Sequence, residues 1–194
     1  MTLYTVIDSA LFVAAARFTS KEQTRPYLHG VYIEPAAGGG ILLTATDGHR
    51  LFHGFDPKGT APAPAIIVPE KAKLPAPWSK PAPLAIDLAA GIMRHPDGGA
   101  MGAKQYKGEF PAYSRIIPTE YSGTVGHFNP AYIADFGDAA NILQKGAYPW
   151  IKHNGESPAL VLFGARRDCF GVLMPMRARD FNFDMPELPK AAAA

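Results

Sequence analysis

The chain has 194 residues, enough for one large domain or two small ones with a core that needs no metal or disulfide. Its 47% hydrophobic and 19% charged residues are those of a soluble globular protein, and no run of about 18 apolar residues predicts a bilayer span. The formal net charge of +2 is far from the basic excess of a protein that grips nucleic acid by charge alone. The lone cysteine, Cys169, sits in a strand-like run and reads as a buried small hydrophobe in a reducing, cytoplasmic setting. Residues 1–5 lack a basic stretch followed by an apolar one, so no secretory signal is expected.

Taken in chain order, Leu3–Val6 predicts a strand, and Asp8 or Ser9 can cap a helix over about Ala10–Phe18. Gly30–Glu34, Ile41–Thr46, Arg50–Phe55 and Ile66–Val68 read as strands. Asp47-Gly48 between two of them predicts a two-residue hairpin turn. Lys71–Pro83 carries four prolines, which permit at most a short helical turn. Leu84–Ile86 and Met101–Tyr106 read as strands around an Asp97-Gly98-Gly99 turn, and Gly123–Phe128 as another strand. Asn129 and Pro130 are a helix cap and a first helical residue, opening a helix to about Leu143 with Ile133, Phe136, Ala140 and Leu143 on its apolar face. Ala159–Phe163 and Cys169–Met174 predict a final hairpin. Strand–helix–strands thus occurs twice with a degenerate copy between, a repeat of roughly 60 residues. The expected class is α+β, with repeated half-units of a helix packed on antiparallel strands.

Three separated segments carry a more specific signal. The first is Thr24–Val31 followed by Ala45-Thr46-Asp47-Gly48-His49-Arg50-Leu51. The second is Gly108–Pro118, with its Phe-Pro-x-Tyr-x-Arg-Ile-Ile-Pro pattern. The third is Val172-Leu173-Met174-Pro175-Met176-Arg177. In this order they resemble the bacterial sliding clamp family, the β subunit of DNA polymerase III. The resemblance implies the DNA clamp fold. It likens residues 1–118 to the clamp's second domain with its second half trimmed, and residues 119–178 to the latter half of the third domain. Residues 179–194 are then a tail.

The resemblance also implies a site. In the family these segments form an apolar pocket that takes short peptide motifs of polymerases and repair proteins. Position by position it implicates Thr46, Gly48, His49, Arg50, Leu51, Pro111, Arg115, Ile116, Val172, Met174, Pro175, Met176 and Arg177. Leu51, Ile116, Val172 and the methionines supply an adaptable apolar lining. Arg50, Arg115 and Arg177 are expected at the rim, where a guanidinium can hold a peptide's carbonyl or acidic groups. Double-stranded DNA is a second partner that the resemblance implies, through Arg25 and Tyr27 in the loop after the first helix, with Arg17 and Lys21 adding charge. Pro26 and Glu22 depart from the family's pattern there.

Two functions remain open on this reading. One is a processivity factor whose copies, four by a count of half-units, close a homo-oligomeric ring around DNA. The other is a peptide-binding module or regulator that holds no DNA. An enzyme is not expected. The six histidines are scattered, without metal-ligand spacing, and no phosphate-binding or nucleophile motif occurs. Neither cofactor nor metal is expected.

Overall fold

The computed structural model describes residues 4–71 and 73–177. Their order is β1 (Thr5–Asp8), α1 (Ser9–Ala16), β2 (Val31–Pro35), β3 (Ile41–Thr46), β4 (Arg50–Asp56), β5 (Ala65–Pro69), β6 (Pro83–Asp87), β7 (Ile92–Arg94), β8 (Ala100–Tyr106), α2 (Pro130–Leu143), β9 (Pro149–Lys152), β10 (Ala159–Phe163) and β11 (Cys169–Leu173). Short 3-10 turns cover Pro26–Leu28, Ala76–Ser79 and Tyr113–Ile116.

The eleven strands form one antiparallel sheet, in the order β1-β6-β7-β8-β5-β2-β3-β4-β11-β10-β9. Three meanders make it up: β2-β3-β4, β6-β7-β8 and β9-β10-β11. A helix precedes the first and the last. The 3-10 turn Ala76–Ser79 stands before the middle one, where the prolines bar a longer helix. That turn still does a helix's packing job, because Trp78 is wholly buried. The repeat expected from pattern is therefore present, with β7 and β9 as strands the sequence reading did not name.

Each helix starts where a side chain can satisfy its first backbone donors. The Asp8 carboxylate accepts from the Leu11 N–H at 3.0 Å, and the Asn129 side chain accepts from the Ala131 N–H at 2.9 Å. Both helices lie on one face of the sheet. α1 packs on β1 to β4 and on α2, and α2 packs on β9 and β10. α1 is buried all round from Ser9 to Ala15, not amphipathic, because the sheet, α2 and the Ala76–Ser79 turn surround it.

The core sits between helices and sheet. Val31, Ile33, Leu43, Phe52, Val161, Phe163 and Leu173 point into it from alternate strand positions. Phe136 of α2 meets Phe18 at 4.8 Å and Phe163 at 6.0 Å between ring centroids. It also lies over Gly171, where an added Cβ would stand 2.2 Å from the Phe136 ring. Only glycine lets α2 approach the sheet this closely.

The expected strand at Gly123–Phe128 does not form. This stretch is held by single hydrogen bonds: Gly155 N–H to Thr124 O at 2.8 Å, and Gly126 N–H to His153 Nδ1 at 3.2 Å. Gly123 takes a positive φ of 75°, which breaks a pleated ladder before it starts.

Candidate peptide groove on the open face of the sheet

The β3–β4 connection is longer than the expected two-residue turn. Thr46 pairs with Leu51, leaving Asp47 to Arg50 to close the loop. The Asp47 carboxylate accepts from the N–H groups of His49 and Arg50 at 2.9 and 3.1 Å. The Thr46 hydroxyl donates to Arg50 O at 2.7 Å and accepts from Gly48 N–H at 3.0 Å. Gly48 has a φ of 93°. Thr46 and Gly48 thus build the turn itself.

Strand alternation sends neighbouring residues of β4 to opposite faces. Leu51 faces away from the helices and stands opposite Val172 of β11. Both are fully buried, yet neither belongs to the core beneath the helices. Just past β11, Met174 N–H donates to His49 O at 2.9 Å, and Met176 N–H donates to His127 O at 2.7 Å. Met174 and Pro175 are half-buried, while Met176 and Arg177 are exposed. The first and third segments are therefore joined by ladder and loop hydrogen bonds.

The middle segment reaches the same face. Phe110 stacks on Tyr32 with centroids 4.8 Å apart. The Tyr113 ring lies 5.2 Å from that of His53, which also meets the Phe170 ring at 5.1 Å and is hydrogen-bonded to the Thr44 hydroxyl at 2.9 Å. The Tyr113 hydroxyl donates to the Glu34 carboxylate at 2.8 Å. The turn Tyr113–Ile116 begins there; within the segment Ile116 is half-buried, while Pro111 and Arg115 are exposed. The Tyr32, Glu34, His53 and Tyr113 cluster that anchors this segment was not singled out in the sequence. Its visible trace was the alternation of polar and aromatic residues on β2 and β4.

Arg50 does not stand at the rim. It shares the inner face with Phe52 and is only 9% exposed. Its guanidinium pairs with Asp47 at 3.1 Å and with Asp135 of α2, and donates to Arg17 O at 3.2 Å. Its Cζ lies 5.2 Å from the Phe18 centroid and 4.8 Å from that of Tyr132. His49 stacks on the same Tyr132 at 5.8 Å. Arg50 thus ties the β3–β4 turn to α2, and alternation along β4 was the signal that could have shown it.

The residues expected near DNA are partly engaged. Arg17 pairs with Asp135 at 3.7 Å and with Asp138, and Arg25 pairs with Glu22 at 3.4 Å. The Arg25 guanidinium also lies against Gly48, where a Cβ would stand 2.8 Å from it. Lys21 is exposed, and Tyr27 is half-buried in the Pro26–Leu28 turn.

Burial raises several acid groups in this part of the sheet, two of them far. It pushes the Cys169 thiol up to about 12 from an ordinary 9.0. Burial, with the hydrogen bond to Glu34, pushes the Tyr113 phenol up to about 12 from 10.0. A raised acid keeps its proton in the fold after the unfolded chain has lost it. The stability these groups contribute is full below about pH 9 and is lost as the pH rises toward 12. Urea midpoints are expected to fall over that range. A thiol reagent at pH 8 should label Cys169 only on unfolding, and rapid labelling of the native chain would refute its burial.

The sliding clamp of Bartonella birtlesii, solved bound to griselimycin, superposes with a TM-score of 0.68 at 19% identity, covering 91% of this chain and 66% of that one. The Pseudomonas aeruginosa clamp gives 0.64 at 18% identity, covering 91% and 67%. The chain has the sliding-clamp fold. In sequence it is 34% identical over 110 residues to the β sliding clamp of Caulobacter vibrioides, covering 52% of this chain and 30% of that protein. No family model matches. The clamp-like chain aligns with about two-thirds of the length of its structural relatives and under a third of this curated one. Among the described residues, no helix is long and apolar enough to cross a membrane.

Proposed function

We propose that this clamp-like chain is a processivity-type binding factor. Its groove around Leu51, Val172 and Met174 takes a short peptide motif from a polymerase or repair protein. The observation that carries this reading is that the first and third segments meet on the face away from the helices, with Leu51 opposite Val172 and half-buried Met174 bonded to His49. Half-buried Met174 and Pro175 beside a fixed backbone offer an adaptable apolar receptor. Arg115 and Arg177 are exposed and free to meet a peptide's acidic or carbonyl groups on this reading. Residues 1–118 play the part of a trimmed second domain and residues 119–178 that of the latter half of a third. The protein acts by binding, without catalysis.

The test is fluorescence anisotropy with a labelled clamp-binding peptide from a replicative polymerase. Met174→Glu places a charge in the apolar lining and is expected to weaken binding by at least about 30-fold, some 2 kcal/mol, with little change in melting temperature. Unchanged affinity, or no binding by the native chain, removes the reading.

A second reading concerns DNA. The charges around the helices favour a module that holds peptides without encircling duplex. α2 carries Asp135 and Asp138 and no basic residue, and Arg17 and Arg50 are spent pairing with them. A homo-oligomeric ring, by contrast, predicts a mass of several chains and retention on closed circular DNA but not on linearised DNA. Light scattering and that retention assay separate the two.

A further inference from the structure

The connection from β8 to α2 runs across the strands, not along them. In the sheet order β8 lies two places from β2, four from β4 and seven from β9. Phe110 stacks on Tyr32 of β2, Tyr113 lies against His53 of β4, and the Tyr121 ring meets the Lys152 ammonium of β9 at 3.7 Å. Tyr32, Thr44 and His53 are direct neighbours across β2, β3 and β4, so the first two contacts fall on one row of the open face. Residues 108–119 are thus a strap laid over the sheet.

The strap's backbone does little to hold it there. Among the described residues its backbone hydrogen bonds are internal: Tyr113 N–H to Pro111 O at 2.7 Å, Arg115 N–H to Ala112 O at 3.3 Å and Ile117 N–H to Ser114 O at 3.3 Å. Side chains make the attachment. Glu34 shares the open face of β2 with Tyr32. One of its carboxylate oxygens accepts from the Tyr113 hydroxyl at 2.8 Å, and the other accepts from the Tyr32 hydroxyl at 3.3 Å. A bond to a carboxylate is stronger than one between neutral groups. Burial, with this bond, pushes the Tyr113 phenol up to about 12, so it stays a donor at neutral pH.

We propose that Glu34 is the positioning residue of this strap. Its carboxylate latches residues 108–119 to the open face, and loss of that bond lets the strap open locally while the sheet beneath stays folded. The sheet does not need the strap to stay in one piece, because β4 pairs directly with β11. The latch bears on recognition because the strap carries exposed Arg115. That link rests on the peptide-binding function proposed above, whereas the latch itself does not. A peptide that engages Arg115 binds the closed strap better than the open one and shifts the equilibrium toward closure.

Trypsin cleavage after Arg115, identified by fragment mass, measures the open strap, because a protease needs a locally unfolded segment. Four full-length chains are compared: native, Glu34→Ala, Glu34→Gln and Tyr113→Phe. Losing one charge-assisted bond is expected to speed this cleavage at least about tenfold in Glu34→Ala and Tyr113→Phe. Glu34→Gln is expected to stay within about threefold of native, because its amide can accept from Tyr113 and donate to Tyr32. The rates should be insensitive to about 1 M urea, since lifting a strap exposes little surface. Equal rates in all four chains, no rescue by glutamine, or rates that climb with urea as global unfolding does overturn the latch. A clamp-binding peptide from a replicative polymerase, added to Glu34→Ala at about 100 times its Kd, should slow the cleavage at least about tenfold. Bound peptide without protection overturns the link to recognition. If the native chain binds no peptide, the function proposed above falls, and the four rates still decide the latch.

Discussion

Phe136→Ala is expected to destabilise the fold by about 3–5 kcal/mol, the largest effect of any single truncation considered. The ring is 1% exposed and fills the space between Phe18, Phe163 and the bare backbone of Gly171. Gly171 has no side chain to fill that space, and the facing rings are fully buried, Phe163 on β10 and Phe18 just past α1. The loss would fall on the seam joining α2 to the last meander. Urea denaturation measures it, and a loss below about 1 kcal/mol would show that the helix is not seated as described. Gly171→Ala acts on the same seam from the other side, by collision instead of by cavity.

Arg50→Met should cost roughly 2–3 kcal/mol, for a different reason. The methionine keeps most of the apolar stem but leaves Asp47 and Asp135 without their shared cation, and breaking a largely buried pair leaves uncompensated charge. The figure lies below the range for fully buried pairs because Asp135 is a third exposed and keeps Arg17 nearby. The same variant separates structure from recognition. At a temperature where it remains folded, its peptide affinity should stay within about threefold of the native value, because the guanidinium faces α2 and not the groove. A large affinity loss in the folded variant would return Arg50 to the rim.

Arg50 also shows where sequence reasoning by motif stops. Its place in the Thr46–Leu51 segment gave it a role by resemblance, whereas the two-residue alternation of β4 gave it a direction. Direction won, because a strand cannot present adjacent side chains to one face. The Asp47-Gly48 turn and the strand at Gly123–Phe128 are smaller departures of the same kind. Local chemistry allowed a tight hairpin and an extended run. Instead the Asp47 carboxylate capped two backbone donors across a longer loop, and single hydrogen bonds from Gly126 and Gly155 took the place of a ladder.

What the chain determined by itself was local and periodic. The caps at Asp8 and Asn129, the proline-barred stretch before Pro83, the alternating strands and the repeated half-unit follow from short-range sterics and hydrogen bonding. Burial of Cys169 follows equally from its apolar strand. What only the tertiary structure decided was which residues share a face across distant segments. It set Leu51 against Val172, bonded Met174 to His49, turned Arg50 toward Asp135 and put β9 at the end of the sheet among the described residues. Those outcomes depend on strand order and register, which are set by packing the whole sheet against two helices and cannot be read from any single stretch of residues.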